Sequence, residues 1–309
     1  MSLEALREVN AMAPWFFPAA VFVFGACIGS FLNVCIYRIP KNESVVRPGS
    51  HCGCGRPIAW YDNVPILSWL LLRGRARCCG RPFSFRYPFV ELLTGALFLT
   101  CWLLFPAGKA VASMVLVAIV ICATFIDLDH MIIPDVFSIG GAAAGLALSF
   151  LLPALHGKQH EFFLIASMLG TREALLGLFV GSGLVLWIAL FAEVLLRKEA
   201  MGFGDVKLLG AVGAFVGWKG AVFGMFGGAM LGCAWLLAAV AWQKITGKSA
   251  PIAPRAETPE GQPAEIGFGV HVPFGPMLAC AGLLYLFWFH RWVDPYFADL
   301  SELFRASGG

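Results

Sequence analysis

Two stretches of this chain hold carboxylates where an apolar sequence has little reason to place them. One is Gly202, Phe203, Gly204, Asp205, with Lys207 two positions on; the other is Phe125, Ile126, Asp127, Leu128, Asp129, His130. Each acid stands at the end of a long apolar run, where an ionised group is costly and so usually functional. Two carboxylates brought close together cannot both ionise cheaply. One keeps its proton while the other stays charged, and the pair supplies a general acid and a general base for activating a water molecule. Such a pair titrates as a unit. The glycines flanking Phe203 permit close backbone approach, either by a substrate strand or by the helix that carries Asp127. Lys207 either balances charge beside the acids or reaches to the membrane interface.

Two other readings compete with this one. A single aspartate just inside a helix commonly caps it or complements its dipole, and Asp205 and Asp135 both stand where that would apply. An ion-coupled transporter would also hold acids among apolar spans. It would need polar groups at mid-membrane depth, and the later spans carry almost none.

The composition dictates which elements position these acids. Hydrophobic residues make up 59% of the 309, charged residues 13%, and the mean hydropathy is +0.78, so a water-facing surface cannot be built from what remains. The chain reads as an all-α, polytopic membrane protein. A net charge of +3 gives no case for a nucleic-acid partner. The first apolar run, from Pro14 to about Tyr37, is long enough to cross a bilayer and has acidic flanks unlike those of a signal peptide. Further runs fall near 88–107, 110–127, 135–153, 174–196, 205–218, 220–242 and 272–290, about eight transmembrane helices in all, the sixth short and rich in glycine.

With the loop after the first run placed in the cytoplasm, 15 of the 22 lysines and arginines fall on the cytoplasmic side. Asp127 and Asp205 then face the cytoplasm together, a sidedness reached without using either acid. Two cytoplasmic segments remain. Residues 39–87 are basic, include a short apolar stretch at Val64–Leu72, and suit a small subdomain. Gln243–Gly269, with four prolines, reads as a flexible linker. Of the ten cysteines, six lie in or beside apolar runs, where cysteine behaves as a small hydrophobe; Cys52, Cys54, Cys78 and Cys79 are left for chemistry.

Five stretches in order are similar to the signatures of the bacterial type IV prepilin peptidase family, membrane aspartic proteases of the Gly-x-Gly-Asp type to which presenilin also belongs. They are Gly29 to Val34 with Arg38 and Pro40; Arg86, Tyr87, Pro88, Val90 and Glu91; Ile126, Asp127, Asp129, His130, Pro134 and Asp135; Glu199 to Gly202 with Gly204, Asp205, Lys207 and Leu208; and Pro273 to Pro276. The resemblance implies Asp127 and Asp205 as the catalytic pair, with Gly202, Gly204 and Lys207 in support. It implies cleavage of the leader from type IV prepilins and type II secretion pseudopilins, after a glycine, at the cytoplasmic face of the inner membrane. Methylation of the new amino terminus from S-adenosylmethionine follows in that family. No nucleotide-binding strand, turn and helix unit in this sequence speaks for the methyltransferase by itself. A peptidase without that activity, or a presenilin-like intramembrane protease, is the alternative.

Many members of that family carry two Cys-x-x-Cys pairs in the first cytoplasmic loop. Here the first cysteine of each pair is displaced: His51 and Ala76 stand three residues before Cys54 and Cys79, and the pairs read Cys52, Cys54 and Cys78, Cys79. Four thiolates, or three with His51, could hold tetrahedral zinc. The alternative is a metal-free loop of reduced thiols. The expected organisation is thus a first transmembrane helix over 1–38, a cysteine-bearing loop subdomain over 39–87 and a membrane peptidase domain over 88–300.

Overall fold

The computed structural model describes residues 12–197, 201–246 and 273–307. Among these the fold is all-α, with isolated backbone bridges but no strand. Two compact units divide the chain, Met1–Cys122 and Ala123–Gly309.

The first unit contains α1 (Phe16–Arg38), the short α2 (Leu67–Leu71), α3 (Arg86–Leu104) and the start of α4 (Ala107–His130). Helices α1 and α3 lie against each other through small residues. A Cβ on Gly29 would sit 2.7 Å from the Glu91 Cα, and one on Gly25 would sit 2.9 Å from the Gly95 Cα. Lipid tails are as apolar as leucine, so helices in a bilayer gain by close backbone packing, which small residues allow.

The second unit holds the end of α4, then α5 (Asp135–Leu151), α6 (Phe163–Leu196), α7 (Phe203–Thr246), α8 (Gly275–Leu284) and α9 (His290–Ser307). A π-helical turn, Tyr285–Phe289, joins the last two. Helix α7 is a hairpin. At Gly217 the backbone takes φ 77°, ψ 175°, a region open almost only to glycine. The limbs then run back along each other: a Cβ on Gly213 would lie 3.1 Å from the Ala221 Cβ, and one on Gly224 would lie 2.9 Å from Leu209 Cδ1. This hairpin packs against α5, α6 and α8. Its first limb meets α6 so closely that a Cβ on Gly177 would overlap the Gly213 carbonyl at 2.0 Å.

Among the described residues, five helical segments are long and apolar enough to cross a membrane: Phe16–Lys41, Arg86–Leu104, Ala107–His130, Phe163–Leu195 and Phe203–Thr246. Asp135–Leu151 is apolar but shorter. Among the described residues the apolar runs of the sequence lie largely on helix, with 205–218 and 220–242 as the two limbs of α7, but five spanning segments do not confirm the count of eight. Two boundaries differ from the sequence reading. Helix α6 begins at Phe163 rather than near 174, because Phe163–Ala174 is itself largely apolar. Helix α7 continues to Thr246, into the segment read as a linker; residues 247–269 of that segment lie outside the described residues.

Candidate active site

Asp127 occupies the last turn of α4. The helix stops where Met131 turns left-handed at φ 53° and its N–H donates to the Asp127 carbonyl at 2.9 Å. The chain then passes through Ile132 and Ile133 to Pro134, whose fixed φ leads into α5. Asp205 sits in the first turn of α7, three residues after Gly202. Its backbone N–H donates to the Gly202 carbonyl at 3.0 Å, and its Oδ2 lies 3.8 Å from where a Cβ on Gly202 would stand. Asp205 is the third residue of this helix, the position from which an acid can reach back toward the residue before the helix.

Both carboxylates are buried, at 5% and 7% exposure, and each feels the charge of the other. The Gly275 N–H, at the start of α8, is directed at Asp127. Asp127 Oδ2 is buried with no hydrogen-bond partner among the described residues, an acceptor held without the bond that a buried polar atom normally has. Three ends of helices thus converge: the C-terminus of α4, and the N-termini of α7 and α8. A helix N-terminus favours negative charge, so the backbone of α7 and α8 offers local support for a carboxylate here without a side-chain cation. Ile133 fills the space between these ends. A Cβ on Gly204 would lie 3.2 Å from the Ile133 Cβ, and one on Gly275 would lie 2.6 Å from Asp127 Oδ2 and 3.0 Å from Ile133 Cδ1.

The remaining candidates fall in different places. Gly204 admits Ile133 from the loop after α4, rather than the α4 helix itself. A Cβ on Gly202 would meet Asp205 Oδ2 at 3.8 Å and the Gly204 N at 4.0 Å. Lys207 pairs with Asp135 at the start of α5, and its ammonium stands 5.4 Å from the centre of the Phe203 ring. Sequence reasoning did not assign Gly275 or Ile133 to the pair. The proline-flanked run Pro273 to Pro276 was the only signal, and it carries no register relative to Asp127.

In the first unit the loop after α1 makes two small hairpins, closed by the bridges His51–Pro57 and Arg75–Pro82. Their turns carry Gly55 at φ 84° and Gly80 at φ 69°. The hairpins bring Cys52, Cys54, Cys78 and Cys79 together, with all four sulfurs within 4.8 Å of one another. Cys52 and Cys79 are 3.5 Å apart, as are Cys54 and Cys78. Four sulfurs at the zinc–sulfur distance of about 2.3 Å on a tetrahedron stand roughly 3.8 Å from one another, so the set fits that ion. His51 is not part of the cluster; its Nδ1 lies 3.2 Å from the Gly49 carbonyl. The Arg56 N–H, and then the neighbouring Cys78 sulfur, bring the Cys54 thiol down to about 7. Hydrogen bonding to Cys52 and Cys54 pushes Cys78 up to about 12. The Cys54 thiolate is thus easily formed, whereas a bound metal would itself have to deprotonate Cys78.

The same loop is tied to the helices by polar groups. Arg38, buried, donates to the carbonyls of Ser44 at 2.9 Å and Gly49 at 3.4 Å. Asn33 donates to the Tyr87 carbonyl at 3.0 Å, and the Ile66 N–H donates to the Glu91 carboxylate at 2.7 Å. Ile66 stands at φ 62°, rare for a β-branched residue.

Residues 23–105 match the Bacterial Peptidase A24 N-terminal domain, and residues 114–237 match the Type IV leader peptidase family. A prepilin leader peptidase/N-methyltransferase of Myxococcus xanthus is 40% identical over 254 residues, which is 80% of this chain and 69% of its own length. The protein of the same name from Aeromonas hydrophila is 34% identical over 313 residues, 93% of this chain and 96% of its own. A type 4 prepilin-like proteins leader peptide-processing enzyme of Escherichia coli is 39% identical over 232 residues, 69% of this chain and 81% of its own. No solved structure matches the chain.

Proposed function

Because this chain belongs to the type IV leader peptidase family, we propose that it is a membrane prepilin leader peptidase and N-methyltransferase whose peptide hydrolysis is done by Asp127 and Asp205. The observation that carries the assignment of residues is the convergence of two buried carboxylates, from separate helices, within reach of each other's charge. In the reaction the ionised carboxylate takes a proton from water as the water oxygen attacks the carbonyl carbon of the scissile bond. The protonated partner donates to the carbonyl oxygen. The tetrahedral intermediate then collapses, a proton passes to the leaving nitrogen, and the carbon–nitrogen bond breaks. The start of α8 abuts Asp127, where a Cβ on Gly275 would stand 2.6 Å from Oδ2, and Asp205 sits in the first turn of α7, so a helix start lies beside each carboxylate.

The same reading places the protein in the bacterial inner membrane with the pair facing the cytoplasm, and takes prepilins and type II pseudopilins as substrates. S-adenosylmethionine supplies the methyl group for the new amino terminus. Residues 39–87 form the cytoplasmic subdomain and residues 88–300 the peptidase domain. Zinc held by Cys52, Cys54, Cys78 and Cys79 would lock the two hairpins of that subdomain together. The basic loops support the sidedness. At 1.5 Å per residue, limb 203–216 of α7 spans about 21 Å, less than the roughly 30 Å of hydrocarbon in a bilayer. Asp205 therefore lies slightly recessed, at the depth where a pilin leader meets its transmembrane helix.

The test is cleavage of a purified prepilin in detergent by the wild type and by Asp127→Asn and Asp205→Asn. Each variant should insert and accumulate normally and lose at least about a hundredfold in cleavage rate, the contribution of a positioned acid or base. Normal cleavage by either variant would remove that residue from the mechanism.

A further inference from the structure

Helix α9 is unlike the others. Its apolar residues follow Trp292, Val293, Tyr296 and Phe297, and the sequence continues that spacing at Leu300, Leu303 and Phe304, while His290, Arg291, Asp294, Asp299 and Glu302 take the opposite positions. This is the pattern of a helix that lies in the plane of a membrane surface. Where it meets the second limb of α7 there is an open groove of about 410 Å³, walled by Val222, Phe223 and Phe226 on one side and Trp292, Val293 and Tyr296 on the other. The groove is held in shape by polar latches. Tyr285 donates its hydroxyl to the Asp294 carboxylate at 2.7 Å, and Lys219 donates to the Asp294 carbonyl at 3.1 Å. Phe223 stacks on Phe289 at 4.9 Å, and Trp218 meets Phe297 edge-on at 5.0 Å.

We propose that this groove holds one acyl chain of a bilayer phospholipid, with the headgroup phosphate near Arg291. Size decides against a protein helix: with side chains a helix is about 10–12 Å across, whereas the volume is that of a small-molecule site, about 300–1,000 Å³. Continuity decides for lipid. Phe226 is 60% exposed and is followed on the same limb by Met230 at 73% and Leu237 at 70%, a strip of a membrane-crossing helix that faces hydrocarbon, and the groove opens from it. The tryptophans and tyrosine around the groove are the residues that settle at the headgroup level. Arg291 is exposed on the polar side of α9, where it can meet an anionic phosphate, whereas the Lys219 charge is already paired with the Asp294 carboxylate at 3.9 Å. Lys219 lies next to the hairpin turn at Gly217, at the opposite end of the first limb from Asp205, so the groove is distinct from the carboxylate pair and does not depend on its assignment.

The experiment uses the full chain, extracted from membranes of phosphatidylethanolamine and phosphatidylglycerol into mild detergent and weighed intact by native mass spectrometry. Wild type should retain one phospholipid per chain. Val293→Trp, which fills the groove, should lower that retention about tenfold, whereas Leu237→Trp, on the open lipid-facing strip, should not. Arg291→Glu should lose preference for the anionic lipid. Equal retention in wild type and Val293→Trp would overturn the proposal. A photo-crosslinking residue at Val293, activated after extraction, gives an independent answer if the tryptophan variant does not fold. A phospholipid adduct supports the groove as a lipid site; an adduct with a second copy of the chain or with detergent alone overturns it.

Discussion

Asp127 and Asp205 were legible as residues because an acid at the end of an apolar run has few cheap explanations. Their surroundings were not, because Asp127 and Gly275 are far apart in sequence and no periodicity relates them. The structure adds a steric claim that can be tested at a single atom. A Cβ on Gly275 would stand 2.6 Å from Asp127 Oδ2, a separation that cannot be kept, so Gly275→Ala must move either the carboxylate or the start of α8. Displacement of a reacting group by about 1 Å can cost around a hundredfold in rate. The expected result is a fall of that order in kcat for leader cleavage, with KM and the melting temperature little changed and methylation of an already cleaved pilin retained. A loss of both activities in parallel with lower stability would mean that Gly275 serves packing alone. Lys207 is the opposite case. Sequence left its role open, and its partner is Asp135, whose side chain is 62% exposed. An exposed ion pair contributes about 0–1 kcal/mol, so Asp135→Asn should leave cleavage within a few-fold of wild type. A loss as large as that of Asp205→Asn would place Asp135 in the mechanism.

Among the elements, the hairpin in α7 is the feature on which the position of Asp205 depends most. Hydropathy placed two runs at 205–218 and 220–242 but could not say how a chain turns within two residues; Gly217 does so at φ 77°, ψ 175°. Any other residue there costs about 1–3 kcal/mol. Gly217→Ala should lower the melting temperature and, by shifting the first limb, the cleavage rate. Gly183→Ala, on α6 with open space at the Cβ position, should be neutral or slightly stabilising, as alanine favours helix over glycine. The cysteine loop shows another limit of sequence reading. Spacing within each pair argued against a regular metal knuckle, but spacing says nothing about how two hairpins face each other, and the backbone brings all four sulfurs within 4.8 Å. Elemental analysis should find about one zinc per chain, reduced by Cys52→Ser or Cys78→Ser and not by Cys233→Ser. Absence of zinc from protein purified without chelators would leave a thiol cluster and no metal site.

At the scale of the whole molecule, composition dictated the class, because an apolar chain with so few charges has few soluble alternatives, and the family came from the resemblance of five motifs in order. What remained unreadable was how deep the chemistry lies, since that depends on limb length and on which helix ends converge. On the proposed sidedness the carboxylates, which stand at helix ends, lie near the membrane surface and would reach only a peptide bond held there. A transmembrane helix resists hydrolysis because its backbone is already hydrogen-bonded, so the scissile bond must lie in extended chain just before a helix starts. A prepilin offers a basic leader outside the bilayer, then a short junction, then an apolar helix. Ile133 and the start of α8 crowd the approach to Asp127, and a residue without a side chain before the cut lets the substrate backbone enter without a clash. Cleavage directly after that glycine is therefore expected. Replacing the glycine by valine should reduce the rate at least about a hundredfold, the cost of misplacing a reacting bond, with little change in binding of the precursor. Mass spectrometry of the products from purified enzyme and prepilin checks both statements. Cutting within the transmembrane helix, or unchanged cutting of the valine precursor, would show that the pair reaches deeper than helix ends at the surface allow, and an intramembrane protease would then be the better description.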